Sequence, residues 1–321
     1  MFRGTKTLIS SSWILLLATA TSLSGIASVR ANTAVLFGAT GAVGNEVLRA
    51  IIDANDEDND NGDPFFTKLV VVGRRAFPPK VEDLLPASPT DLPEVVRIEI
   101  PNLEHADQQE ELVERITGDG AAVACFHAIG SGHPYKYDFH SFHSIEVTMG
   151  GSIARLCGKM GSTSVTVLSA IDSEPNPEPY SAEEVAPTGV PLGWWRLVVE
   201  MIRVMGLKEQ AVISNARAAA TTSLPHVRIF QPSNIITEEI RYGWLDWTLF
   251  KIHAVIDPVI PTKYHSVTTE LLAKAMVKDA MNVLTGKASD GAVVDKDGAT
   301  RFTYGDFLRI TGEGSGTMTE L

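Results

Sequence analysis

A glycine pattern, two arginines and one serine are the residues of this chain best suited to chemistry. Gly38-Ala39-Thr40-Gly41-Ala42-Val43-Gly44 follows the apolar run 33–37. It opens a segment, 42–53, that carries Val43, Val47, Leu48, Ile51 and Ile52 on one helical face. Between a strand and a helix, the first glycine permits a tight turn and the second lets the backbone approach a pyrophosphate. The third lets helix and strand pack closely. The helix N-terminus then presents free N–H groups and its positive dipole end to the phosphates. Gly38, Thr40, Gly41, Ala42, Val43 and Gly44 are therefore candidate dinucleotide-binding residues. A second apolar run, 68–72, ends in Gly73-Arg74-Arg75. A site for NAD usually carries an acid there for the ribose 2′-hydroxyl. Arg74 and Arg75 instead suit a 2′-phosphate through charge-assisted hydrogen bonds, which points to NADP(H). Ala128, Ile129 and Gly130, after the run 121–126, are expected beside the cofactor's ribose and nicotinamide. Ser169 follows the run 164–168, at the strand end where doubly wound sheets bind ligands. Its hydroxyl could polarise a substrate carbonyl or cap a loop.

These residues need a scaffold that brings strand ends together, and the rest of the chain supplies its pattern. Strands are predicted at 33–37, 68–72, 95–100, 121–126, 164–168 and 227–230, with helices over 42–53, 141–159, 194–206, 207–219 and 268–285. A polar helix reaching Arg115 fills the gap before the fourth strand. The stretches 78–93 and 172–193 are proline-rich and read as loops. Alternation at this spacing implies an α/β fold, a Rossmann-type doubly wound parallel sheet. No internal break appears, so 32–312 reads as one domain with a substrate region grown from its C-terminal half, and 313–321 as a flexible tail.

Composition sets the outer limits. The chain has 321 residues, 44% hydrophobic and 21% charged, enough for a packed core. Its net charge of −12 argues against non-specific binding to nucleic acid or to an anionic membrane surface. Residues 1–31 carry Arg3, Lys6 and Arg30, no acid, and the apolar run 13–18. Three readings fit them: a signal for entry into the secretory pathway or a plastid, a single membrane anchor, or a mitochondrial presequence. The acidic loop 53–63 departs from a calcium loop at Gly62 and Thr67. His127, His133, His140 and His143 lack a carboxylate that would complete a metal site, and no metal is expected. Cys125, in a buried strand, reads as a small core residue. Tyr135, Tyr137, Phe139 and Phe142 read as an apolar wall over the cofactor, and Trp194, Trp195, Trp244 and Trp247 mostly as core.

Together, Gly38-Ala39-Thr40-Gly41-x-x-Gly44, Gly73-Arg74-Arg75 and Leu168-Ser169 resemble the atypical short-chain dehydrogenase/reductases. The branch most similar is that of the Tat-interacting-protein-like NAD(P)H-binding oxidoreductases. Phe142-x-x-Ile145-Glu146 resembles its Phe-x-x-Val-Asp, Val204-Met205-Gly206-x-x-Glu209 its Val-Lys-Gly-x-x-Glu, and Phe230-Gln231-Pro232 its Phe-Arg-Pro. The resemblance spans roughly 33–284. It implies a Tyr-x-x-x-Lys pair for proton transfer, and places that pair at Met201 and Met205. Neither methionine can donate a proton or carry charge. Tyr180 is the one nearby substitute; its i+4 neighbour Glu184 would raise the phenol's pKa, away from a useful acid. Two functions follow as expectations. One is an NADP(H)-binding protein without the usual redox chemistry: a sensor, assembly factor or complex subunit. The other is an NADPH-dependent reductase of a small carbonyl substrate, with Ser169 orienting it and water or Tyr180 giving the proton.

Overall fold

The computed structural model describes residues 32–57, 64–85, 93–117, 122–132, 134–221, 223–237, 257, 260–287 and 293–313. The expected leader at 1–31, the tail beyond 313, most of the acidic loop, His133, Trp244 and Trp247 lie outside the described residues.

Apolar runs become strands and amphipathic segments become helices, alternating as far as the sixth strand. The order is β1 (Asn32–Phe37), α1 (Ala42–Glu57), β2 (Lys68–Gly73), α2 (Pro79–Glu82), β3 (Glu94–Glu99), α3 (Glu110–Thr117) and β4 (Ala122–His127). Then come α4 (Phe139–His143), a π-turn (Ser144–Thr148), α5 (Met149–Lys159), β5 (Ser164–Leu168), α6 (Gly193–Ala218), β6 (His226–Phe230) and β7 (Asn234–Ile236). The chain closes with β8 (Ser266–Thr268), α7 (Thr269–Leu284), β9 (Thr300–Phe302) and α8 (Tyr304–Thr311). Seven strands form one parallel sheet in the order β3-β2-β1-β4-β5-β6-β9, and β7 pairs with β8. Sheet order reverses between β1 and β4, so a crevice opens beyond their C-terminal ends.

The central strands are buried on both faces, as a parallel sheet covered by helices requires. Their side chains alternate between two cores. Leu36, Val71 and Phe126 meet Val47, Met276 and Phe307 on one face. Val35, Val70 and Val167 meet Ile153, Leu156 and Val212 on the other. The fold class read from the sequence is the fold observed, and all six predicted strands form within a residue or two of their expected ends.

Five local readings change. The proline-rich stretch 78–93, expected to be loop, holds the short helix α2. The helices expected at 194–206 and 207–219 are one helix, α6. Gly206 does not break it: a Cβ there would lie 2.2 Å from the Glu174 carbonyl oxygen, so the glycine admits a crossing loop. The helix expected over 141–159 contains the π-turn. Cys125 is buried as expected but is disulfide-bonded to Cys157 of α5. Trp195 is 83% exposed rather than core. Among the described residues no helix is long and apolar enough to cross a membrane.

Candidate functional site

The crevice at the sheet's reversal is floored by the turn from β1 to α1. Gly38 has φ +97°, and a Cβ on it would meet the Ala128 carbonyl carbon and oxygen at 2.9 Å. A Cβ on Gly44 would fall 2.0 Å from the Gly38 carbonyl oxygen. These two glycines are therefore required by the protein's own packing. Gly41 differs. Its amide donates to the Gly38 carbonyl at 2.9 Å, yet a Cβ on it would touch only Gly38 O at 3.4 Å and Ala128 O at 4.0 Å. No protein atom demands glycine there, and the space kept open lies at the N-terminus of α1, where a diphosphate would sit. Thr40 is exposed and Ala42 half-buried at that terminus. Val43 points into the core beneath it, leaving only its backbone to the crevice.

Arg74 and Arg75 stand exposed at the end of β2, and neither forms an ion pair among the described residues. Opposite them, the Ala128 amide donates to the Phe37 carbonyl at 3.0 Å, which fixes the start of the turn 128–131 against Gly38. Gly130 is exposed and Ile129 half-buried. His127, just before the turn, points the other way, with its ring against α5 at Gly150. Full burial, followed by the charge of Lys208, holds its pKa well below the usual imidazole value, so the ring is neutral.

The polar groups of the C-terminal half are closed into networks. Ser169 is 7% exposed, and its hydroxyl donates to Glu209 of α6 at 2.6 Å and lies 3.2 Å from Ser173 Oγ. Glu209 also accepts from Gln231 Nε2 and from Arg301 Nε of β9, each at 2.8 Å. For Ser169 to polarise a carbonyl, it must first give up its bond to a buried carboxylate. Tyr180 stacks edge-on against Phe139 at 4.8 Å and carries the Arg203 guanidinium over its ring. Its hydroxyl donates to Glu200 at 2.5 Å, while Glu184, the partner expected from the sequence, instead accepts the Ser181 amide. Burial, then the hydrogen bond to Glu200, raises the phenol's pKa above its ordinary value.

Met205 is 6% exposed, packed with Phe139, Phe142, Leu192, Leu197 and Val204; Met201 lies half-buried against the same cluster, as does Tyr180. Of the aromatic wall expected from Tyr135, Tyr137, Phe139 and Phe142, the two phenylalanines are buried in this cluster and Tyr135 packs against it, whereas Tyr137 is exposed; both methionines belong to the cluster. Sequence reasoning gave no role to two other pairs: Arg301 with Glu209, and Lys208 of α6 with Glu146 of the π-turn at 2.8 Å. Glu146, Lys208 and Glu209 all lie in or beside the segments that carry the family resemblance, which was the only available signal. Among the described residues no group of three or more His, Cys, Asp or Glu side chains is arranged to hold a metal.

No protein-family model matches this chain, and no curated protein matches it in sequence. Solved structures do resemble it. A short-chain type dehydrogenase/reductase from Mycobacterium ulcerans superimposes with a TM-score of 0.51 at 17% identity, covering 87% of this chain and 90% of its own. MoeE5, solved with UDP-glucuronic acid and NAD, gives 0.48 at 15% identity over 89% of this chain and 82% of its own. WbmH of Bordetella bronchiseptica, solved with NAD+, gives 0.48 at 13% identity over 86% and 76%. This chain therefore shares the Rossmann-like α/β fold of that short-chain type dehydrogenase/reductase.

Proposed function

We propose that this protein binds NADP(H) at the β1–α1 turn and acts through that binding, as a sensor, assembly factor or complex subunit, without the usual proton-transfer pair. The observation that carries this reading is the contrast between Gly41 and the two methionines. At Gly41 the chain keeps a space that its own packing does not use. At Met201 and Met205, where a proton donor and a cation would be needed, it packs sulfur and methylene into an apolar wall.

The residues present fit the cofactor. The turn 38–44 would hold the pyrophosphate through backbone N–H groups and the helix dipole. Arg74 and Arg75 would pair with the 2′-phosphate, and the turn 128–130 would border the ribose and nicotinamide. When bound, the nicotinamide supplies or accepts hydride. Among the described residues the two candidate proton donors are already engaged: Ser169 is bonded to Glu209, and Tyr180 to Glu200. General acid catalysis typically contributes about 10²–10⁴-fold, so its absence leaves a binder with at most slow turnover.

The test sets a direct NADPH and NADH binding titration beside an NADPH-oxidation assay over a panel of carbonyl compounds. Tight, NADPH-selective binding with negligible oxidation is expected. Rapid oxidation of NADPH, lost in Tyr180→Phe or Ser169→Ala, would make the protein a reductase and overturn the reading.

A further inference from the structure

Lys208 and Glu146 form an ion pair at 2.8 Å with each side chain only 3% exposed. Burying two charges is unfavourable unless their remaining hydrogen-bonding capacity is met. The further bonds each partner makes go to a single short stretch of backbone. The other oxygen of Glu146 accepts the Ser131 amide at 2.7 Å, and the Lys208 ammonium also donates to the Ile129 carbonyl at 3.3 Å. The pair therefore grips the turn after β4 from both sides of Gly130, where an added Cβ would lie 3.5 Å from the Glu146 carboxylate.

Local structure is shaped around this grip. The π-turn Ser144–Thr148 places Glu146 facing inward, and π-turns recur at functional sites. Gly150 leaves a channel for the lysine stem: a Cβ there would meet Lys208 Cγ at 3.6 Å and His127 Cε1 at 3.4 Å. At its far side the gripped turn abuts the phosphate turn, since a Cβ on Gly38 would lie 3.0 Å from Ile129 Cγ1.

Resting on the cofactor reading above, we propose that Lys208 and Glu146 are positioning residues for the dinucleotide, setting the height of the 129–131 backbone against its nicotinamide half. They touch the backbone rather than the cofactor, so their effect is confined to the half of the ligand that this backbone borders. The adenosine half, held by the β1–α1 turn and the arginines, is independent of them.

The experiment compares NADPH with adenosine 2′,5′-bisphosphate, which carries only the adenosine half, by titration on the full chain. In Glu146→Gln, NADPH affinity is expected to fall on the order of tenfold while the bisphosphate changes less than about twofold. A second variant guards against simple unfolding. Glu146→Leu with Lys208→Met removes both charges at once, a replacement that often preserves or raises stability. It is expected to melt near the unaltered protein and still to lose NADPH affinity selectively. Loss of both ligands to the same degree, or NADPH binding as tight as before in the double variant, would make the pair purely structural and overturn the inference with the cofactor reading intact. Failure of the unaltered protein to bind either ligand would overturn both.

Discussion

The β1–α1 turn and the first half of α6 border the same end of the same sheet, yet their polar groups are treated in opposite ways. At the turn they are left available. Gly41 borders open space, and Arg74 and Arg75 are exposed without ion-pair partners among the described residues. Along α6 they are spoken for: Ser169 by Glu209, Tyr180 by Glu200, Glu146 by Lys208. Methionines close what is left. A buried polar group that already has its partner must lose that bond before it can serve a ligand, whereas an open helix N-terminus loses only water. The difference teaches that binding and chemistry are separable within one crevice. On the function proposed above, the groups for the first stand open here and those for the second are closed.

The sharpest way to break this comparison is at Gly41. Gly41→Val fills the open space at the helix N-terminus and is expected to abolish NADPH binding in titration, with little change in a thermal melt because nothing in the protein crowds that Cβ. Normal binding by the folded variant would reduce the turn to a packing device.

The converse test opens α6. Met205→Lys restores the cation that the family resemblance implies, but into a cluster of Phe139, Phe142 and Leu197. Burial of an ammonium in such a site depresses its pKa by units rather than tenths, so stability should fall on the order of 3 kcal/mol. Combining it with Met201→Tyr should raise any residual NADPH oxidation only in the fraction that stays folded. A double variant that melts like the parent would show the region is less closed than its packing implies.

Cofactor choice comes next in size. Replacing Arg74 and Arg75 with Ala should weaken NADPH by about 1.5 kcal/mol for each charged hydrogen bond lost, roughly tenfold apiece. Both side chains are exposed, so the effect should shrink with added salt. NADH affinity should stay where it was; an equal loss for both cofactors would remove the basis for the NADP(H) assignment.

The smallest effect concerns His127, beneath the boundary of the two regions. Its folded pKa lies below the ordinary value of 6.5, so below that pH the unfolded chain binds the extra proton. Stability is therefore full above 6.5 and falls with acidification, by at most about 1.4 kcal/mol per pH unit for this group. His127→Leu should flatten the melting temperature between pH 7 and 5.5 relative to the parent. An unchanged acid slope would place the proton uptake elsewhere.

Much of this molecule was fixed by local pattern. The runs 34–37 and 69–72 are apolar throughout, as strands buried on both faces require, and six of the seven sheet strands were legible as runs dominated by apolar residues. The seventh, β9, is Thr-Arg-Phe, too short to show any period. The π-turn was hidden because one inserted residue barely disturbs helical spacing over twenty positions. The β1–α1 turn was legible because its glycine spacing is local, with Gly44 answering to the Gly38 carbonyl six residues back, although Gly38 itself answers to Ala128 at the end of β4. Ser169 was placed at the right strand end, but its committed hydroxyl was invisible. Its partner Glu209 lies 40 positions on, and the arginine holding Glu209 another 92. Glu146 and Lys208 stand 62 residues apart. Short-range periodicity and turn chemistry thus determined the fold and the place where a dinucleotide would lie. Which polar groups remain free to act was decided only by tertiary structure, because a buried donor's availability depends on whichever acceptor the folded chain brings to it.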